Sequence, residues 1–274
     1  MNFKLKLDKI TKKNKSFVCV GLDSDYSVIS KFCKEKSVEK TIFLFNKKII
    51  DSTFDLVCAY KPNSAFYEAY GVEGLNALSQ TIDYLKKTYS EIPVILDAKR
   101  ADIGNTNNGY VKFAFDTLNV DAITLHPYLG KEALSPFLAR KDKGIIILVR
   151  TSNSGAGEFQ DLLINKKPLY QIVAKNIAKN WNSNKNCCVV VGATYPKELK
   201  IIRGIVGDMP ILIPGIGAQG GDIEQTVNAG INSKGYGMII NSSRGIIFAS
   251  KNKDFAKVAR QKTIELKDEI NKYL

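Results

Sequence analysis

Ile92-Pro93-Val94-Ile95-Leu96-Asp97-Ala98-Lys99-Arg100-Ala101-Asp102-Ile103-Gly104-Asn105-Thr106 joins an apolar run to a cluster of charges. The run from Ile92 to Leu96 predicts a buried strand. Side chains two apart on a strand share a face. A strand that continues to Lys99 therefore projects Asp97 and Lys99 together at its C-terminal end. Asp102 follows in the loop, before Gly104 and Asn105 turn the chain. A lysine beside carboxylates is held in its ammonium form, which suits a site that keeps a proton on an amine. On an isolated loop the same residues would be an ordinary solvated turn, so the flanking sequence must decide.

Working outward, the same pattern recurs along the chain. Further apolar runs occupy 16–22, 54–60, 121–125, 144–149, 187–191, 210–213 and 236–240. Each ends in polar or turn residues: Asp23-Ser24-Asp25, Lys61-Pro62-Asn63-Ser64, His126-Pro127-Tyr128, Arg150-Thr151-Ser152-Asn153, Gly192-Ala193-Thr194, Pro214-Gly215-Ile216-Gly217 and Asn241-Ser242-Ser243-Arg244. Helical spacing lies between them, as in Ile42, Phe45, Ile49 and Ile50, or in Leu75, Leu78, Ile82 and Leu85. Helices are also predicted over about 106–118, 130–140, 168–182, 196–206 and 253–272, with a basic lead-in at 2–13. Residues 153–167 read as a long loop rich in Gly and Asn, a length that is usually functional or mobile. Continuous apolar strands alternating with helices predict parallel strands buried on both faces. The expected fold is a single (β/α)8 TIM barrel over residues 1–274, with a doubly wound sheet as the competing architecture.

The chain has 274 residues, 45% of them hydrophobic, enough for one barrel of about 250 residues. No run approaches the roughly 20 apolar residues of a membrane span. The start lacks the apolar centre of a signal peptide, which predicts a cytoplasmic protein. An odd count of five cysteines without C-x-x-C spacing argues against a disulfide framework or zinc site. His126 is the one histidine, which excludes a multi-histidine metal centre. The net charge of +13 comes mostly from lysines spread along the chain. That distribution predicts a solvated surface and long-range attraction of an anionic small substrate rather than nucleic-acid binding, which calls for a clustered basic face.

In a barrel, residues at strand C-termini form the active site. Glycine-rich backbone at Gly215, Gly217, Gly220 and Gly221 after strand seven, with Arg244 after strand eight, fits a phosphate site. Lys61 and Asp23 stand at the ends of strands two and one, although an N-cap role competes for Asp23. Thr151, Ser152 and Asn153 offer groups suited to a polar ring edge, or to turn chemistry. His126, before a proline, is given no catalytic role.

Together these segments resemble the orotidine 5'-phosphate decarboxylase family, in its longer bacterial-type branch. Asp97-Ala-Lys-Arg-Ala-Asp102-Ile-Gly-Asn-Thr106 is similar to the family's catalytic motif. Val20-Gly-Leu-Asp23, Tyr60-Lys-Pro-Asn-Ser64, Thr124-Leu-His-Pro-Tyr128, Val191-Gly-Ala-Thr194, Pro214-Gly-Ile-Gly-Ala-Gln219 and Ser243-Arg244 resemble it in the same order. The resemblance implies decarboxylation of orotidine 5'-phosphate to uridine 5'-phosphate, the last step of de novo pyrimidine synthesis, without metal or cofactor. It implies that Lys99 protonates C6 while Asp97 lies beside the departing carboxylate. Lys61 and Asp23 would hold ribose hydroxyls, with Asn63 beside them. Ser152 or Thr151 would bond the pyrimidine edge. Gln219 and Arg244, with Pro214 and Ser243, would surround the phosphate. Asp102, with Ile103 and Thr106 near it, would reach into the neighbouring site of a homodimer. The loops at 153–167 and from 214 to about 222 would close over the substrate. Two other readings compete: the strand-three motif also resembles that of the Mg2+-dependent phosphosugar decarboxylases or aldolases of the same superfamily, and a non-catalytic nucleotide- or RNA-binding barrel would explain the charge. The first requires a carboxylate where strand two ends in Lys61. The second has no need of the Asp-Lys-Asp set.

Overall fold

The structure is a computed structural model that describes residues 1–216 and 221–274. Eight parallel strands form one sheet: β1 Val18–Gly21, β2 Ala59–Lys61, β3 Ile95–Arg100, β4 Ala122–Leu125, β5 Gly144–Arg150, β6 Cys187–Val191, β7 Ile211–Pro214 and β8 Met238–Ser242. Their order is β2-β1-β8-β7-β6-β5-β4-β3. Parallel bridges Tyr60–Val94 and Asn63–Asp97 join β2 to β3 and close the ring. This is the expected (β/α)8 barrel, and the doubly wound alternative falls because an open sheet would leave β2 and β3 as edges.

The strand sequences explain the closure. Val18-Cys19-Val20, Ile145-Ile146-Ile147 and Ile211-Leu212-Ile213 are buried on both faces, one toward the barrel interior and one toward the helices. The helices bury one stripe each. Val38–Thr53 starts at Ser37, whose side chain accepts the Lys40 N–H, and packs Ile42, Phe45, Ile49 and Ile50 inward. Phe3–Asn14 covers the N-terminal end of the barrel and is tied to the β4–β5 side by a bond from the Phe3 N–H to the Asp142 carbonyl.

Several expected boundaries move. The second run predicts a strand from Phe54, but Phe54–Leu56 form a tight 3-10 turn and the strand begins at Ala59. The helix expected over 106–118 begins at Gly104 and widens into a π turn at Lys112–Thr117. The loop expected at 153–167 carries structure of its own: a turn at Ser154–Ala156, a short helix at Gly157–Gln160, and a hairpin of Leu163–Ile164 with Lys167–Pro168. Polar and glycine-rich composition concealed these elements, which are shorter than any periodic signal can register. Among the described residues, no helix is long and apolar enough to cross a membrane.

Candidate active site

The seam between β2 and β3 gathers the ionisable side chains. The Asp97 N–H donates to the Pro62 carbonyl at 2.9 Å and the Ser64 N–H donates to the Asp97 carbonyl at 3.2 Å, fastening the two strand ends together. Lys61 Nζ then reaches Asp97 Oδ2 at 2.8 Å, and Lys99 Nζ reaches Asp97 Oδ1 at 2.7 Å. From β4, the Thr124 hydroxyl donates to Asp97 Oδ1 at 2.8 Å and accepts the Lys99 N–H at 2.9 Å. Asp23 Oδ1 lies 3.8 Å from Lys61 Nζ.

Asp97 and Lys61 are only 7% and 3% exposed, so each charge needs a partner. Burial by itself would raise the Asp97 pKa, but the ammonium groups of Lys61 and Lys99 outweigh it and hold the carboxyl well below the ordinary range. Burial likewise opposes the Lys61 charge, yet Asp97 and then Asp23 keep its pKa above the usual lysine value. The outcome is an alternating row, Asp23, Lys61, Asp97, Lys99, in which the buried Lys61–Asp97 pair stays ionised through neutral pH. The Lys99 side chain is the most open of the four at 44%.

Asp97 and Lys99 do converge, but not by plain strand alternation. Lys99 has φ 45°, in the left-handed region. The pairing of β3 with β4 slips from Leu96–Ile123 to Arg100–Leu125. Such a backbone stores roughly 1–2 kcal/mol in a non-glycine residue, and strain of this kind clusters at functional sites. The irregularity aims the Lys99 amine back onto Asp97.

A cavity of about 1040 Å3 opens at the C-terminal ends of the strands. Of the residues singled out in the sequence, Asp23, Lys61, Asp97, Lys99, Thr151, Ser152, Pro214, Ser243 and Arg244 line it. Ser243 is let in by Gly21, where an added Cβ would lie 1.8 Å from the Ser243 hydroxyl oxygen. Four expected residues lie elsewhere. Asn63 stands beside the seam, its Oδ1 accepting the Ala65 N–H at 3.2 Å. Asp102 turns its carboxylate onto the Ile103 N–H at 2.7 Å, and Ile103 and Thr106 are exposed outside the cavity. Gln219, with Gly217 and Gly220, falls outside the described residues.

Thr124 opens one of the family-like segments, but sequence reasoning assigned it no role of its own. Its signal was a lone hydroxyl in an otherwise apolar buried run, which needs a partner. His126 also lines the cavity. Partial burial, and then the charge of Lys99, lower its pKa, which keeps the imidazole neutral at pH 7.

Residues 16–259 match the model of the orotidine 5'-phosphate decarboxylase / HUMPS family. A protein of Cellvibrio japonicus named orotidine 5'-phosphate decarboxylase is 48% identical over 271 residues, 99% of this chain and 98% of that one. One of the same name from Janthinobacterium sp. is 46% identical over the whole of both chains. Among solved structures, OMP decarboxylase of Leishmania donovani superposes with a TM-score of 0.86 at 36% identity, covering 100% of this chain and 98% of that one. UMP synthase of the same organism gives 0.88 at 38%, but there this chain spans just 56% of the longer protein. With a barrel of this architecture and a family match over most of its length, the chain belongs to the orotidine 5'-phosphate decarboxylase / HUMPS family.

Proposed function

We propose that this chain is an orotidine 5'-phosphate decarboxylase, forming uridine 5'-phosphate and CO2 in the last step of de novo pyrimidine synthesis, and that residues 1–274 work as one catalytic barrel. One observation carries the reading within the family: the buried row of Lys61, Asp97 and Lys99, which ends in an ammonium at the cavity. The bond between C6 and the carboxylate breaks, CO2 departs, and the electron pair remains on C6. Lys99 supplies the proton that C6 takes up and afterwards recovers one from solvent. A preorganised ammonium lowers the energy of charge developing at C6 and needs no solvent reorganisation at the moment of reaction. Asp97, held ionised by two lysines, lies against the substrate carboxylate and favours its loss over its retention.

The remaining residues bind and orient. Lys61 and Asp23 hold the ribose hydroxyls beside Asn63, and Ser152 or Thr151 meets the pyrimidine edge. Arg244 and Gln219, with Pro214 and Ser243, surround the phosphate, whose binding energy is spent on closure and alignment at a distant carbon. Asp102, with Ile103 and Thr106, serves the site of a second copy in a homodimer. The absence of Asp102 from the residues lining its own cavity supports this, as does exposed Ile103, at 61%, on the loop after β3.

Metal-free chemistry is supported by Lys61 itself: an ammonium already lies between Asp23 and Asp97, where the Mg2+-dependent relatives would need free carboxylates. The test is the loss of orotidine 5'-phosphate absorbance on adding purified protein, with and without EDTA. Turnover insensitive to EDTA is the expected result; no turnover in either condition would sink the proposal.

A further inference from the structure

The excursion after β5 folds back onto the residues that start it, and Gln160 is the point of contact. Its Oε1 accepts the Thr151 N–H at 2.9 Å and an Arg150 guanidinium N–H at 3.2 Å. Its Nε2 donates to the Thr151 hydroxyl at 2.8 Å, and that hydroxyl donates onward to Asn153 Oδ1 at 2.6 Å. The amide orientation is forced, because the Thr151 N–H and Arg150 can only donate. Arg150 is itself fixed. It is 3% exposed, pairs with Asp161 at 3.0 Å, and stacks over the Tyr195 ring at 3.9 Å from the centroid. A buried arginine held by a carboxylate and an aromatic face is a rigid anchor.

Thr151 thus spends its N–H and its hydroxyl on the excursion. The next residue, Ser152, is backed by Gly192 at the end of β6. An added Cβ there would come within 2.8 Å of the Ser152 Cβ, so the two backbones meet as closely as a glycine allows. Gripped on one side through Thr151 and from behind by Gly192, Ser152 borders the cavity.

We propose that Gln160, oriented by Arg150, is a positioning residue that locks Thr151 so that Ser152 alone presents its hydroxyl to the pyrimidine ring. This deepens the decarboxylase reading and rests on it. It also removes the ambiguity between Thr151 and Ser152. The excursion becomes a ring-sensing element: contacts to the base are made at Ser152, while Gln160, which also borders the cavity, acts through Thr151.

Affinities for uridine 5'-phosphate and for ribose 5-phosphate, which lacks the ring, separate the possibilities in the wild type, Gln160→Ala, Ser152→Ala and the double variant. Gln160→Ala should weaken uridine 5'-phosphate by about tenfold, the order of one lost polar contact, and leave ribose 5-phosphate within about twofold. In the Ser152→Ala background it should add less than about twofold, because a residue acting through Ser152 has nothing left to position. Gln160→Glu keeps the acceptor for Arg150 and the Thr151 N–H and should recover part of the loss. Equal losses for both ligands would mean a merely structural role, and full additivity with Ser152→Ala would mean that Gln160 touches the ligand itself; either overturns the proposal. A wild-type chain that binds neither ligand and has no turnover would instead overturn the decarboxylase reading beneath it.

Discussion

Asp97 is the residue on which the site turns. It accepts from Lys61, Lys99 and Thr124 at once, so its ionisation and the order of its neighbours are one property. Lys99→Ala should lower turnover by roughly 10^3-fold or more, the scale of a lost proton donor and electrostatic stabiliser. It should leave uridine 5'-phosphate binding within an order of magnitude; single-turnover kinetics and equilibrium binding separate the two. Removing the carboxylate has a different signature. Asp97→Asn leaves the buried Lys61 ammonium short of its main partner and should destabilise the fold by about 3 kcal/mol. The Asp97 carboxyl titrates below its unfolded value near 3.8, so its contribution is fully present above that value and is lost as pH falls toward the lower folded one. The raised Lys61 contributes fully below its unfolded value near 10.5 and loses that contribution only in stronger base. The stability difference between wild type and Asp97→Asn should therefore stay flat from about pH 5 to pH 9 and shrink below about pH 4. Urea denaturation of both proteins across pH checks this, and a difference that titrates near neutrality would contradict it.

Among the elements, the two ends of the barrel do different work. The C-terminal ends carry strain and charge, as at Lys99. The opposite end is built for closure. There Arg203, on the helix Pro196–Val206, is 9% exposed and donates to four carbonyls, those of Gly207, Met209, Gly230 and Gly237, at 2.6–2.8 Å. Burial pushes its pKa down to about 10, yet it remains charged at neutral pH and ties the turns flanking β7 and leading into β8. Arg203→Met keeps much of the apolar stem but leaves buried carbonyls without a donor, at about 2–4 kcal/mol in total. Thermal or chemical denaturation should register that loss while kcat and KM of the folded enzyme stay within about twofold. A large change in KM at unchanged stability would mean that the two ends of the barrel are coupled. The network under β1 contributes to the active end. Asn46 Nδ2 donates to Tyr67 and Thr81, the Tyr67 hydroxyl donates to the Leu22 carbonyl, and the Ser24 hydroxyl donates to Asn46 Oδ1. Asp23 is thus bracketed by fixed neighbours.

At the scale of the whole molecule, the proposed dimer would complete a site that a single chain leaves without Asp102, which is absent from the residues lining the local cavity and spends a carboxylate oxygen on the Ile103 N–H. In a two-fold dimer each site takes Lys99 from one copy and Asp102 from the other. Two individually inactive variants, Lys99→Ala and Asp102→Ala, should therefore regain activity when mixed and allowed to exchange subunits. At equal concentrations about half of the dimers are mixed and each has one intact site, so roughly one quarter of wild-type activity is expected. No recovery after demonstrated exchange would rule out a shared site. The net charge of +13 belongs to this scale as well. Spread over the surface, charge of this sign would favour encounter with the anionic substrate of the proposed function, and kcat/KM should then fall as salt is raised.

The sequence by itself determined the eight strands, their parallel sense and the end of the barrel that carries the chemistry. Parallel strands buried on both faces must be written as continuous apolar runs, and polar residues then have nowhere to go but the strand ends. The Asp97 to Thr106 motif could be read for the same reason: its charges are local and end an apolar run. Tertiary structure decided who pairs with whom. Lys61 and Asp97 are 36 residues apart and meet only because the ring closes between β2 and β3. Thr124 enters the site from β4, and Lys99 adopts a left-handed backbone that lysine does not favour locally. Asp102, which the spacing alone groups with Asp97 and Lys99, is turned onto the Ile103 N–H instead. Gln160 lay in a stretch without periodicity, and its clasp on Thr151 depends on a chain reversal stabilised by a buried arginine. Periodicity records which side of an element is buried; it carries no record of which partner waits on that side.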